Sequence, residues 1–319
     1  MEIKIDEIKK IEDELSRYID SDVEFILKIG NYILSSGGKR LRPILVLTFS
    51  KGLRGENLPT DYPIAAAMEY LHTASLLHDD VVDGAKLRRN KPSANVVFGN
   101  DTVVLTGDYM YANALYLFSI YGNIDMIKNV SSAVKKMAEG QLLELKSIGD
   151  FDISLEDYYQ IIEGKTAVLF ASCCYVGAEL AKADEEKKQN AYLYGLYLGY
   201  AFQIIDDLLD YIGDKKKVGK PVFNDLREGK VTYPLLSIKD KLTEEEKQLI
   251  KKVLRNTNPD EKHIKDVVNL VKSKGGIENS INKATEFVKK AIQKLDIFPE
   301  NEYFSNLKKL ANYVVEREF

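Results

Sequence analysis

The chain has 319 residues, enough to bury a large apolar core, and its 45 basic residues stand against 49 acidic ones for a net charge of −4. That near balance offers no basic surface for a nucleic-acid partner. The two cysteines, Cys173 and Cys174, are neighbours in an apolar run, so they read as core residues and not as a disulfide framework or a zinc site.

The start, MEIKIDEIKK, alternates charges and has no apolar signal region. The longest charge-free apolar stretches, such as Thr166 to Ala178, fall short of a membrane span. No Pro/Gly/Ser-rich linker divides the sequence, so a single domain over 1–319 and a cytoplasmic location are expected. Apolar residues recur at three- and four-residue steps nearly throughout, which predicts an all-α fold of long helices lining a deep central cavity.

In chain order, residues 1–19 predict an amphipathic helix with Ile5, Ile8, Ile11, Leu15 and Tyr18 on one side. Val23 to Leu34 predicts a second, broken by Gly37-Gly38, and Pro43 restarts a buried one. Within GGKRLR, Lys39 and Arg42 lie three apart and share a face, which leaves Arg40 as a surface residue. Gly52 to Pro59 reads as a loop. Tyr62 to Val82 is then a long helix whose last turns carry LLHDDVVD.

Asp79 and Asp83 in that stretch are four apart and so one helical turn apart on one face. Two like charges stacked in this way call for a cation between them, and hard carboxylate oxygens point to Mg²⁺, Mn²⁺ or Ca²⁺. Taken alone, the motif could be a solvated acidic helix end. Residues 203–210, QIIDDLLD, repeat it with Asp206, Asp207 and Asp210 at the polar end of another uncharged run, from Ala191 to Ile205. A solvated face would not need that pattern twice.

Between the two acid clusters, Gly84 to Pro92 is a basic loop containing Arg88 and Arg89. Helices follow from Asn95 to Tyr121, weakly interrupted at Gly99-Asn100, and from Asp125 to Ser147. Ser154 with Asp157 predicts a capping box. The helix it starts is interrupted at Gly164-Lys165-Thr166 and runs on to Ala183. Gly164-Lys165-Thr166 ends like a phosphate loop, but the earlier glycine that such a loop needs would fall at Tyr159, so that reading fails. Glu185 to Tyr211 carries the second aspartates, and Gly213 to Lys220, GDKKKVGK, reads as a mobile cationic loop. Helices resume near Thr232-Tyr233-Pro234. Four charged amphipathic helices follow from Thr243, which forms a capping box with Glu246.

The cations complement the acids. Mg²⁺ is commonly held by one or two carboxylates plus substrate phosphates, and Arg and Lys bind phosphate oxygens directly. Lys39, Arg42, Arg88, Arg89, Lys165, Lys220 and Lys230 together describe a site for two diphosphates, one bound through metal and one by cations. His72, two turns before Asp79, reads equally well as a packed core residue. No nucleophile elbow, dinucleotide fingerprint or acid/base dyad is present, so the substrate must ionise itself around a leaving diphosphate.

These motifs resemble the trans-isoprenyl diphosphate synthases, the polyprenyl synthetase family. GGKRLRP, LLHDDVVD with LRRNKP, EGKT, FQIIDDLLD, GKP and DLREGKVTYP follow the family's order over nearly the whole chain. The stretch LHTASLLHDDVVDGAKLRRNKPSANVVFGN is most similar to octaprenyl and heptaprenyl synthases. The resemblance implies an isoprenoid synthase-type helical bundle, usually a homodimer. It implies that Lys39, Arg42, His72 and Arg89 contact isopentenyl diphosphate, and that Arg88, Lys165, Gln203, Lys220 and Lys230 contact the allylic diphosphate. Asp79, Asp83 and Asp206 match direct ligands of three Mg²⁺ ions, with Asp80, Asp207 and Asp210 as supporting acids. Thr166 and Gln203 would stabilise the allylic cation. The last motif departs slightly, with Val218 and Phe223 in its loop.

A product of about C35–C40 is implied by the same resemblance. Ser75 lies one turn and Leu71 two turns above Asp79, about 6 and 12 Å deeper. Ala74 and Ser75 are small where short-chain members often place aromatics, and Val130 is a candidate floor. A shorter-chain synthase is the alternative. A class I terpene cyclase would carry an Asn/Ser/Glu metal motif in place of QIIDDLLD, and a non-catalytic partner subunit would lack aspartate motifs. A plain lipid- or metal-binding helical protein would need none of them.

Overall fold

The computed structural model describes residues 5–89, 91–212 and 223–316. Of the described residues 78% are helical, and the strands among them are the two-residue β1 (Leu87–Arg88) and β2 (Lys91–Pro92), paired antiparallel with Leu87 opposite Pro92. The expected basic loop is therefore a tight hairpin. The chain divides into two compact units: Met1–Val134 with Ser172–Tyr192 and Ile297–Leu307, and Lys135–Ala171 with Leu193–Asp296 and Lys308–Phe319.

The first unit contains α1 (Ile5–Arg17), α2 (Glu24–Ser35), α3 (Leu41–Arg54), α4 (Asp61–Val82), α5 (Ala94–Phe98) and α6 (Asn100–Tyr121). The expected loop at Gly52 starts later, because α3 continues to Arg54 and ends on left-handed Gly55. Gly52 stays helical because its missing side chain admits the Phe304 ring, 2.9 Å from where a Cβ would sit. α4 is the axis, packed by α1, α3 and α6. It is apolar almost all round, as a helix enclosed on every side must be. Ile64, Met68, Tyr70, Leu71 and Leu77 are fully buried, each contributing about 1.5–3 kcal/mol. Its carboxyl end is pinned to α6 by His78, whose Nε2 lies 3.1 Å from the Val104 carbonyl and 3.3 Å from Asp108. Gly107 makes room for that imidazole, since a Cβ there would overlap it.

α7 (Ile124–Ser147) begins in the first unit and ends in the second. The second contains α8 (Leu155–Ile162), a π-helical turn (Glu163–Ala167), and α9 (Val168–Leu180), which extends into segments of the first. α10 (Glu185–Ile212) likewise enters the second unit at Leu193. Short α11 (Asn224–Arg227) and α12 (Tyr233–Leu236) precede α13 (Glu244–Leu254), α14 (Glu261–Ser273) and α15 (Gly276–Gln293). α16 (Glu302–Glu316) ends the described chain. Both capping boxes form as expected, Ser154 with Asp157 and Thr243 with Glu246.

The interruption expected at Gly164-Lys165-Thr166 is present as a widened π turn. Helix continues from Leu155 to Leu180, one run long and apolar enough to cross a membrane, contrary to the expectation from charge-free stretches. Its apolar window is 89% buried, which makes it a core helix. Cys173 and Cys174 lie in it as buried free thiols.

Candidate active site

Two sets of chemistry-bearing residues form, one in each unit. In the first, α4 carries Asp79, Asp80 and Asp83 in its last turns. Carboxylates at a helix carboxyl terminus meet the negative end of the macrodipole as well as each other, an arrangement that a divalent cation stabilises. Asp83 is exposed, Asp79 half-buried and Asp80 fully buried. Arg88 explains the last: its Nε and Nη2 fork grips Asp80 at 2.5–2.9 Å. Asp80 thus holds the hairpin, while Asp79 and Asp83 occupy the more open side.

In the same unit the charges of four arginines bear on His72. Arg40 is not the surface residue expected from its spacing. Only 6% of it is exposed, and it pairs with buried Glu69 at 3.1 Å and donates to the Leu34 carbonyl at 2.7 Å. Its left-handed backbone, φ 48°, turns the side chain inward and starts α3. Lys39 remains exposed. Burial holds His72 well below the usual histidine range, and the charges of Arg42, Arg89, Arg88 and Arg40 add to the effect. It is therefore neutral, able to hydrogen-bond in a strongly positive pocket. Burial also lowers Arg42 and Arg89, against the opposing pull of Glu69. The Arg89 guanidinium packs over Gly38, 3.1 Å from where a Cβ would stand.

Glu69 is a residue whose role the sequence reading missed. Its signal was visible: one acid inside the long apolar run of α4.

The second set lies around α10. Asp206 is exposed, Asp207 buried and Asp210 half-buried. Tyr158 donates to Asp207 at 2.6 Å and the Gln203 amide at 2.8 Å. Burial pushes Asp207 up to about 7 even so. Asp210 accepts the backbone N–H groups of Asn224 and Asp225 at 3.0 and 2.9 Å, which ties α11 to α10. Phe223 enters α11 with a left-handed φ of 65°. Burial, with Asp210 and Asp207 nearby, holds Asp225 well above the usual carboxylate range.

Lys165 pairs with Glu144, and Lys230 lies 3.9 Å from the same carboxylate and 2.7 Å from Glu228. Thr166 donates to the Gln203 carbonyl oxygen at 2.5 Å. Glu144, Lys165, Gln203, Asp207, Asp225 and Lys230 help to line a cavity of about 80 Å³. Tyr158, Glu144 and Asp225 escaped the sequence reading, because no local pattern marks a partner contributed by another helix. Lys220 and Val218, with the cationic loop they belong to, fall outside the described residues.

Among the described residues, no three His, Cys, Asp or Glu side chains converge as a cage for a metal ion. The donor chemistry fits magnesium held partly by substrate, since hard carboxylates stand beside cations suited to phosphate. Ala74, Leu71 and Val130 are fully buried. Ser75 is half-buried and donates its hydroxyl to the His72 carbonyl at 2.8 Å.

Residues 23–271 match the polyprenyl synthetase family model. Octaprenyl diphosphate synthase of Escherichia coli K12 is 38% identical over 94% of this chain and 92% of its own. Geranylgeranyl diphosphate synthase of Saccharolobus solfataricus is 32% identical over 97% and 96%. A polyprenyl synthase of Caulobacter crescentus CB15, solved with calcium and isoprenyl diphosphate, superposes with a TM-score of 0.93 at 33% identity, covering 98% of this chain and 95% of that one. The fold is that of the all-α isoprenoid synthases. With the motifs, the family match and these relatives in hand, the chain belongs to the polyprenyl synthetase family and is a trans-prenyltransferase.

Proposed function

We propose that this enzyme, as a single synthase domain over 1–319, condenses isopentenyl diphosphate with an allylic diphosphate, head to tail, into a polyprenyl diphosphate of about C35–C40. The observation that carries the reading is the difference between the two sets. In one, the charges of Arg42 and Arg89 bear on a neutral histidine, suited to a diphosphate bound directly by cations. The other pairs two lysines with a carboxylate beside Asp206 and Asp207, suited to a diphosphate that leaves.

Asp79, Asp83 and Asp206 would hold Mg²⁺, three ions by family resemblance, and the metal supplies positive charge that weakens the allylic C–O bond. Lys165, Lys230, Lys220 and Arg88 take the diphosphate as it departs. Thr166 and Gln203 turn oxygen atoms toward the allylic cation. Lys39, Arg42, Arg89 and His72 hold isopentenyl diphosphate so that its double bond attacks, and the departed diphosphate removes the proton. The protein is cytoplasmic in this reading. It is also a homodimer, supported by the exposed α6 residues Leu105 and Tyr116, at 65% and 63%.

Incubation with both diphosphates should release diphosphate and yield a long polyprenyl product on chromatography, and EDTA should abolish both. Metal-independent release, or a cyclic product without isopentenyl consumption, would overturn the reading. The Gly38 contact gives a second expected result. A Cβ at Gly38, in a backbone of φ 154°, would stand 3.1–3.4 Å from the Arg89 guanidinium, which must shift by a few tenths of an ångström. Gly38→Ala should raise KM for isopentenyl diphosphate about tenfold, the scale of a small misplacement, and leave the allylic KM unchanged. Steady-state kinetics checks this, and an unaltered isopentenyl KM would remove Arg89 from that subsite.

A further inference from the structure

We infer that Glu163 is a positioning residue that holds the π turn carrying Lys165 and Thr166, acting with Lys136 and Tyr200. The inference rests on the reading of Lys165 as a contact to the allylic diphosphate. A π turn is a less favourable form of helix, and it persists where its surroundings hold it. Its extra residue rotates the helix on its carboxyl side by about 100°. A slip back to plain α-helix would carry Lys165 and Thr166 off their present partners.

The surroundings here are specific. Gly164 lies against the backbone of α7: a Cβ there would stand 2.5 Å from the Lys136 carbonyl oxygen and 2.8 Å from the Gly140 Cα. On the other side, Gly199 of α10 meets Ala167 closely enough that a Cβ would overlap it. Glu163 then bridges both flanking helices. One carboxylate oxygen accepts from Lys136 Nζ and the other from the Tyr200 hydroxyl at 2.6 Å. From the same turn, Lys165 reaches Glu144 of α7, and Thr166 reaches Gln203 of α10.

The turn is thus tied twice to each neighbour. Lys136, Gly140 and Glu144 recur every four residues along one face of α7. Tyr200, Gln203 and Asp207 recur along one face of α10. The two ties to α7 differ in kind. Lys165 must leave Glu144 to meet a diphosphate, and the Glu163–Lys136 pair is then the side-chain tie to α7 that stays. Glu163 and Lys136 are 24% and 46% exposed, so their pairing adds little to global stability. Its effect falls on the placement of Lys165 and Thr166.

The test compares Glu163→Ala, Glu163→Gln, Tyr200→Phe and Lys165→Ala in the full chain, with KM for each substrate, kcat and melting temperature. Glu163→Ala should raise the allylic KM about tenfold and lower kcat by a similar factor, with the isopentenyl KM and melting temperature near wild type. Glu163→Gln, which keeps one acceptor oxygen, should recover most of the loss. Tyr200→Phe should add nothing to Glu163→Ala, because both remove the same tie. An effective Lys165→Ala beside a silent Glu163→Ala would overturn this inference alone. A silent Lys165→Ala would overturn the underlying reading of Lys165 and the inference with it. Equal rises in both KM values with a falling melting temperature would show a merely structural role.

Discussion

Asp79→Ala and Asp206→Ala are each expected to lower turnover by a factor of about a hundred or more while the melting temperature stays near that of the wild type. The reason lies in where these carboxylates sit. Asp79 is half-buried near the carboxyl end of α4, with Asp83 one turn on and Asp80 adjacent. Asp206 is exposed near the end of α10 with Asp207 and Asp210 close by. Each stands beside like charges near the negative end of its helix dipole, an arrangement suited to a bound cation more than to holding the fold.

Asp80 supplies the contrast. It is fully buried and gripped by Arg88, which is 25% exposed. Asp80→Ala leaves that guanidinium without its partner, and should cost about 2–3 kcal/mol, discounted from a fully buried pair for the solvent that reaches Arg88. Thermal denaturation beside steady-state turnover separates the two behaviours. Near-normal turnover in Asp79→Ala or Asp206→Ala would sink their assignment as metal ligands.

The second large effect concerns product length. Ala74 is fully buried in α4, above the aspartates, so a side chain added there must project into the protein interior. Ala74→Tyr is expected to shorten the product toward C15–C20 while diphosphate release continues, because the diphosphate groups are bound elsewhere. Chromatography of extended products is the measurement. An unchanged product would take Ala74 out of the path of the growing chain, and a wild-type product of C20 or shorter would overturn the proposed chain length. Some loss of stability should accompany the change, about 1–3 kcal/mol for overpacking a filled site. The melting temperature must therefore be read beside the product.

Much of this protein was legible from its residues in order. Helical periodicity set the fold class, because 3.6-residue spacing is a property of neighbouring side chains and needs no distant partner. Both capping boxes were readable for the same reason, each closing within four residues. The aspartate clusters announced themselves through four-residue spacing and through the uncharged runs before them. The cations around them followed from motif order, and the family with them.

Other features were decided only when helices met. Arg40 read as a surface residue, and it is buried because Glu69, 29 positions away, neutralises it and Leu34 accepts its second bond. The six aspartates looked alike, yet Arg88 claims Asp80, Tyr158 and Gln203 claim Asp207, and the backbone of α11 claims Asp210. Asp79 is half-buried, and Asp83 and Asp206 are exposed. The interruption at Gly164 was legible, but its form as a π turn rests on Gly140, Gly199 and Glu163, in contacts that no local spacing records. Local patterns name the residues able to do the chemistry. Which of them does it depends on burial and on partners from other helices, and these exist only once the chain has folded.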